Sequence, residues 1–282
     1  MTDHDRPSAS TPGRAQHLHT TLSADGTELA YDVRGDGPAL VYITGATCFR
    51  TFRPVIADAK VFASEFTVYT YDRRGRGDSG DTLPYSVARE VEDIEAIIDA
   101  AGGTAHVYGH SSGAVLALEA ALRLPHKIDR AFVYDASYVH DEAERDSYAA
   151  LSGQVDALLE QGQNARAVKH FLRGIGMPRL FVHLLPLVPG WATMRALAPT
   201  LAYDIALTRD LPPVDRMNKI EVPVRVAVGG RSPASLLEVA RQLADAIPGS
   251  EHRVIDGQNH MVNPKVLLPV LRDALLYGVR PR

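Results

Sequence analysis

The sequence predicts an α/β fold: a mostly parallel sheet of eight strands, helices on both of its faces, and an inserted helical cap. Three observations carry this. Short β-branched runs alternate with helical patterns along most of the chain, which is how a sheet buried on both faces reads. One linking helix has clear start and stop signals. The alternation breaks only once, over a long stretch that is helical throughout.

The first two strands are "QHLHTTL" (16–22) and "ELAYDVR" (28–34), which flank the turn pair Asp25-Gly26 and read as an antiparallel hairpin at the sheet edge. Six further strands follow: "LVYI" (40–43), "TVYTY" (67–71), "AHVY" (105–108), "AFVY" (131–134), "VRVAV" (224–228) and "HRVI" (252–255). Ser86 is placed to cap a helix in which Val87, Val91, Ile94, Ile98 and Ala101 recur at helical spacing, and Gly102-Gly103 ends it. From Asp135 to Glu221 only helical patterns occur, with Tyr148, Leu151, Val155 and Leu158 on one face, Val168, Phe171 and Leu172 on another, then the apolar "LFVHLLPLVPGWATM". Ordinary strand-to-helix connections take about 2–6 residues, so this stretch is an insertion, placed to roof a pocket at the carboxyl ends of the strands. The expected organisation is a disordered tail over 1–15, a core in two parts over 16–136 and 219–282, and a helical cap over 137–218.

Composition narrows the function classes. Thirty Lys and Arg against thirty-four Asp and Glu leave a formal charge of −4, which offers no field for nucleic acid or an anionic membrane. A single cysteine, Cys48, excludes an internal disulfide framework and a cysteine-rich zinc cluster, and points to a reducing, cytoplasmic setting. The longest apolar run, 180–188, contains Pro186 and falls short of the roughly 18 residues a membrane span needs. No internal repeat is present. The expected partner is a small molecule, with no metal or organic cofactor, and the oligomeric state stays open.

The chemistry concentrates in "VYGHSSGAVLALEAAL" (107–122). Gly-His-Ser-Ser-Gly follows a buried strand and precedes a helix, the context in which G-x-S-x-G forms a nucleophile elbow. Gly109 and Gly113 relieve crowding at a sharp turn, and the central Ser111 is forced into an exposed, strained position. Ser112 starts the helix, where its hydroxyl can cap free N–H groups and its own N–H can face a developing oxyanion.

With these motifs the chain resembles the α/β-hydrolase family, over about Gln16 to Tyr277. "YDRRGRGDS" (71–79) is similar to that family's D-x-R-G-x-G-x-S turn after the fourth strand. Its three arginines are balanced by three aspartates over 72–81, so a wall-shaping role is expected rather than a basic patch. The resemblance implies that His260, in the loop after the last strand, is the general base for Ser111. It implies an acid in a G-x-x-D loop after "VRVAV", but there the chain reads Gly229-Gly230-Arg231-Ser232. A minority arrangement, found in some haloalkane dehalogenases and fungal lactonases, puts the acid at the end of the preceding strand. That position is Asp135, with Asp256 as the other candidate. The family's first oxyanion loop corresponds to Thr44-Gly45-Ala46, making Ala46 one N–H donor and Ser112 the other. Phe49, Phe181 and Trp191 are candidate substrate contacts, although the apolar residues of this region also suit cap core. Cys48 lacks a neighbouring base and reads as a small packing residue.

The implied activity is a serine hydrolase cleaving a carboxylic ester or lactone of a small, fairly apolar molecule through an acyl-enzyme. The same fold also hosts cofactor-independent oxygenases and ligand receptors with a slow triad.

Overall fold

The computed structural model describes residues 18–277. The tail expected over 1–15 lies outside them. Eight strands, β1 (His19–Leu22), β2 (Glu28–Arg34), β3 (Ala39–Ile43), β4 (Thr67–Tyr71), β5 (Ala105–His110), β6 (Ile128–Tyr134), β7 (Val224–Gly229) and β8 (Glu251–Ile255), form one sheet in the order β1-β2-β4-β3-β5-β6-β7-β8. The β1/β2 and β2/β4 pairs are antiparallel and every later pair is parallel. The expected mixed α/β sheet with its edge hairpin is therefore present.

Alternating side chains divide the core into two layers. Val41 and Ile43 of β3, Val107 of β5, Ala131 and Val133 of β6, and Val224, Val226 and Val228 of β7 pack on one face. That face is covered by α2 (Val87–Ala100), α3 (Ser112–Arg123) and α10 (Ala234–Ala246). Leu40, Tyr42, Tyr108, Phe132, Tyr134 and Ala227 point the other way, against α1 (Arg53–Phe62) and α11 (Pro264–Arg272). Ser86 does cap α2, accepting from the Arg89 N–H at 3.3 Å, and Gly102 and Gly103 take positive φ just beyond its end. One strand starts earlier than its apolar run. Asp129 and Arg130 interrupt the hydrophobic pattern of β6, yet Ile128 still pairs with Ala105 across a register shift, so the strand begins three residues before the legible "AFVY".

Between β6 and β7 lie α4 (Glu142–Glu160), α5 (Asn164–Gly174), α6 (Arg179–Leu184), α7 (Trp191–Ala196), α8 (Leu201–Thr208) and α9 (Val214–Met217). The apolar run over 180–194 is not one helix, because Pro186 and Pro189-Gly190 divide it into α6, a 3₁₀ turn and α7. Val155, Val168, Phe171, Val182, Met194 and Leu201 give this segment its own apolar cluster, against which Ala46 and Phe52 of the loop after β3 also pack. No helix among the described residues is long and apolar enough to cross a membrane.

The arginines of the 71–79 turn form no basic patch. Arg73, Arg74 and Arg76 are buried, and their carboxylate partners come largely from outside the turn: Glu90, Asp93, Asp25 and Asp204.

Where α3 crosses β5 and β3, backbone meets backbone. A Cβ on Gly113 would overlap the Ile43 carbonyl and sit 2.7 Å from that of Thr44, whereas a Cβ on Gly153, exposed within α4, would meet nothing within 4 Å. Gly113→Ala should therefore destabilise the protein by at least about 2 kcal/mol in urea melts, through overpacking against atoms that cannot rotate away. Gly153→Ala should instead stabilise it by about 0.5–1 kcal/mol, the helical preference for alanine.

Candidate active site

Three loops, following β3, β5 and β6, meet at the carboxyl edge of the sheet. Among the described residues, the non-glycine positions with positive φ are Thr47 (60°), Ser111 (59°) and Asp135 (49°), one in each loop. Such conformations cost on the order of 1–3 kcal/mol apiece and persist only where the surroundings over-determine them.

The turn at Ser111 is determined from three sides. Its N–H donates to the Tyr134 carbonyl at 3.0 Å, fixing the elbow to the end of β6. Gly109 lies so close to α3 that a Cβ there would come within 2.7 Å of Ala114 Cα. Gly45, from the loop after β3, approaches until its Cβ would be 2.9 Å from that of Ser111. Ser111 stands at the N-cap of α3 but makes no capping bond through its side chain. Its Oγ is 3.0 Å from Ser137 Oγ, and Ser137 in turn donates to the Asp135 carbonyl at 3.2 Å. With its own proton committed there, Ser137 accepts the Ser111 hydroxyl.

Asp135 is fully buried, and its carboxylate collects three donors from two other loops. Gly229 N–H donates to Oδ1 at 3.0 Å, while Ser232 Oγ at 2.6 Å and His260 Nδ1 at 3.0 Å share Oδ2. Ser232, where the resemblance led one to expect an acid, thus supplies a hydroxyl to the Asp135 carboxylate. Asp256 is exposed on the turn after β8 and has no bond to His260 among the described residues.

The loop bearing His260 is itself held by its neighbours. Tyr134 Oη donates to the Asn259 carbonyl at 2.7 Å, and Arg231 N–H donates to that of Gln258 at 2.7 Å. His110, at the variable position of the elbow, puts Nε2 at 2.8 Å from the His260 carbonyl with the two rings 4.8 Å apart. Burial and the neighbouring His260 push the His110 imidazole down to about 4, so it is neutral near pH 7 and its Nε2–H donates to that carbonyl. With Nδ1–H donating a hydrogen bond to Asp135, His260 carries its proton on Nδ1 and its Nε2 lone pair is left available as a base.

Ser112 follows Ser111, and Ala46 follows Gly45, which abuts Ser111; neither backbone N–H has an acceptor among the described residues. The Ser112 hydroxyl does not cap the helix as its position suggested. It donates to Asp204 Oδ1 at 2.8 Å, a partner ninety-two positions away that outcompetes local backbone. Phe49 is buried against Phe52 and beneath Gly190, adjoining Trp191, whose ring lies 5.7 Å from the Lys169 ammonium. Trp191 packs on the apolar cluster of the helical segment, and Phe181 of α6 is 43% exposed. Burial pushes the Cys48 thiol up to about 11, which leaves it unreactive near neutrality. The sequence reading missed Ser137, His110 and the hydroxyl role of Ser232. For Ser232 a signal existed, a polar side chain at the position of an expected carboxylate.

Comparison with known proteins adds the following. A model of the alpha/beta hydrolase family matches residues 40–266. The crystal structure of an alpha/beta hydrolase from Sphaerobacter thermophilus superposes with a TM-score of 0.80 at 41% identity, covering 90% of this chain and 98% of that one. A pimeloyl-(acyl-carrier protein) methyl ester esterase of Neisseria meningitidis is 27% identical over 76% of this chain and 84% of its own length. RutD of Azorhizobium caulinodans, provisionally assigned as a carbamate hydrolase, is 34% identical, but the match spans only 36% of this chain and 38% of that protein.

The donors on Asp135 make it a structural centre of the strand ends. Asp135→Ala should cost about 2–4 kcal/mol of stability in chemical melts, since the Ser232 hydroxyl and Gly229 N–H would be stranded in the interior. Asp256→Ala should stay within about 0.5 kcal/mol of the parent.

Proposed function

The chain belongs to the alpha/beta hydrolase family, and from that premise we propose that it is a serine hydrolase cleaving a carboxylic ester or lactone of a small, fairly apolar molecule. The observation that carries the reading is Ser111, held at φ 59° at the start of α3, with the His260–Asp135 pair on the adjoining strand ends. A serine hydroxyl is a weak nucleophile until a base takes its proton, and the base needs an acid to fix its tautomer. The Ser111 hydroxyl turns from Ser137 to His260 Nε2 and attacks the carbonyl carbon as its proton passes to the imidazole. Asp135 steadies the imidazolium through Nδ1. The Ala46 and Ser112 N–H groups hold the oxyanion, His260 protonates the leaving alcohol, and a water activated by the same nitrogen releases the acid. Phe49 and Trp191 wall the acyl side under the helical segment, which acts as a cap, and Phe181 stands at its rim. The ester-cleaving relative from Neisseria supports this choice of bond. No step calls for a cofactor, and the half-buried lone thiol suits a cytoplasmic setting.

Fluorophosphonate labelling with peptide mapping, followed by p-nitrophenyl esters and lactones, tests the reading. Label is expected on Ser111 in the parent and nowhere in Ser111→Ala, whose kcat should fall by about 10⁴ to 10⁶. Oxygen uptake on organic substrates without ester cleavage would move the protein to the cofactor-independent oxygenases, and labelling without turnover to the receptors.

Asp135→Asn should lower kcat by up to about 10⁴ by favouring the wrong tautomer, as measured on protein shown to be folded by circular dichroism. Because Ser232 Oγ is 2.6 Å from the same carboxylate oxygen that meets His260, adding Ser232→Asp to that variant should restore part of the rate.

A further inference from the structure

Against Ser112 at the start of α3 lies a second polar cluster that the reaction as described does not use. Arg73, Arg76, Glu90 and Asp204 are each no more than 1% exposed, and the two guanidinium and two carboxylate charges cancel. Asp204 comes from α8, the last long helix before β7. Its Oδ1 accepts from Ser112 Oγ at 2.8 Å and from Arg73 Nη1 at 2.8 Å, and its Oδ2 accepts from Arg76 Nη2 at 2.7 Å. Arg73 is clamped in turn by Glu90 through two bonds of 2.6 Å. The other arm of Arg76, Nη1, donates to the Gly45 carbonyl at 2.8 Å and to that of Cys48 at 3.3 Å.

The bond to Gly45 has a geometric consequence. In a trans peptide the C=O and the following N–H point in opposite directions, and the Gly45–Ala46 bond is trans. Anchoring the Gly45 oxygen on Arg76 therefore turns the Ala46 N–H away from the arginine, on the loop where Gly45 abuts Ser111. The second donor, Ser112 N–H, belongs to the residue whose hydroxyl is fastened to Asp204. A buried ion cluster is a poor source of stability compared with apolar packing, so its placement against both donor loops calls for another use.

We infer that Arg76 and Asp204 are positioning residues of the oxyanion hole, with Asp204 the single carboxylate through which the cap helix α8 sets the Ala46 and Ser112 amides together. The inference rests on the serine-hydrolase reading above. Asp204 stays ionised in this setting: burial alone would raise its pKa, but the Arg76 and Arg73 charges and the Ser112 hydroxyl outweigh that and hold it below the usual carboxylate range. Asp204→Asn keeps an oxygen for Ser112 but leaves Arg76 without a countercharge. Arg76→Lys keeps the charge but loses the planar fork that spans Gly45 and Asp204.

The test compares kcat and KM for the best p-nitrophenyl ester with the inhibition constant of an alkyl trifluoromethyl ketone, whose carbonyl takes up Ser111 Oγ and becomes an oxyanion in the hole. In Asp204→Asn and in Arg76→Lys, kcat should fall about 10²-fold, the scale of one lost oxyanion donor. KM should stay within about threefold, and the ketone should weaken by the factor by which kcat/KM falls, because analogue and transition state share the oxyanion. Ser112→Ala, which deletes only one hydroxyl, should weaken the ketone about fivefold and carries the test if a charge variant fails to melt cooperatively. Ketone affinities within twofold of the parent in the folded variants, or a loss of kcat with unchanged ketone affinity, would overturn the inference. A parent enzyme that takes no fluorophosphonate on Ser111 would instead remove the functional reading on which it rests.

Discussion

Everything at the carboxyl edge of the sheet hangs on how closely three stretches of backbone approach one another. Gly45, Gly109 and Gly113 let the loop after β3, the end of β5 and the start of α3 come within distances that no side chain would permit. The reward is a short, rigid connection from strand to helix that holds Ser111 in a conformation it would not choose in isolation. Once the crossing is that tight, the helix N-terminus and the loop after β3 have little freedom left. Charge and hydrogen bonding then need only trim their orientation.

The second theme is the treatment of a carboxylate deprived of water. Asp135 is fully buried and is reached by an amide, a hydroxyl and an imidazole from three separate positions of the chain. Removing a carboxylate from water costs several kcal/mol unless donors replace the lost hydration, and none of these three alone would suffice. The exchange between β6 and β7 is thus reciprocal. One strand end gives the charge and the other gives the hydroxyl that solvates it, so two loops with different residues converge on one arrangement around the same imidazole nitrogen.

The sheet was legible in the sequence because its determinants are local. Runs such as "VRVAV" are buried on both faces, the Asp25-Gly26 turn sits between alternating segments, and Ser86 and Gly102-Gly103 mark the ends of one helix. Ser111 and Ser112 were nameable because the Gly-His-Ser-Ser-Gly turn is itself local, standing between β5 and α3, whereas His260 and Asp135 came from the family resemblance, which places them beyond the ends of β8 and β6. What escaped were contacts spanning long separations. Ser112 meets Asp204 across ninety-two positions, Arg73 meets it across 131, and His110 meets the His260 backbone across 150. No periodicity encodes such pairings. The helical segment was readable where α4 and α5 run for several turns and obscure where two prolines cut an apolar run into six-residue pieces, too short to show a face.

Packing His110 neutral behind His260 links the fold to protons. Its imidazole titrates at about 4 in the folded protein against 6.5 when unconstrained, with burial the larger cause and the His260 charge the second. Between those two values the unfolded chain binds a proton that the native one refuses, so stability falls as the pH drops through that window and the contribution is intact above it. The slope for one such group is at most about 1.4 kcal/mol per pH unit, enough over two units to matter for a marginally stable domain. A side chain that bonds the His260 backbone at neutral pH thereby costs the fold stability in acid.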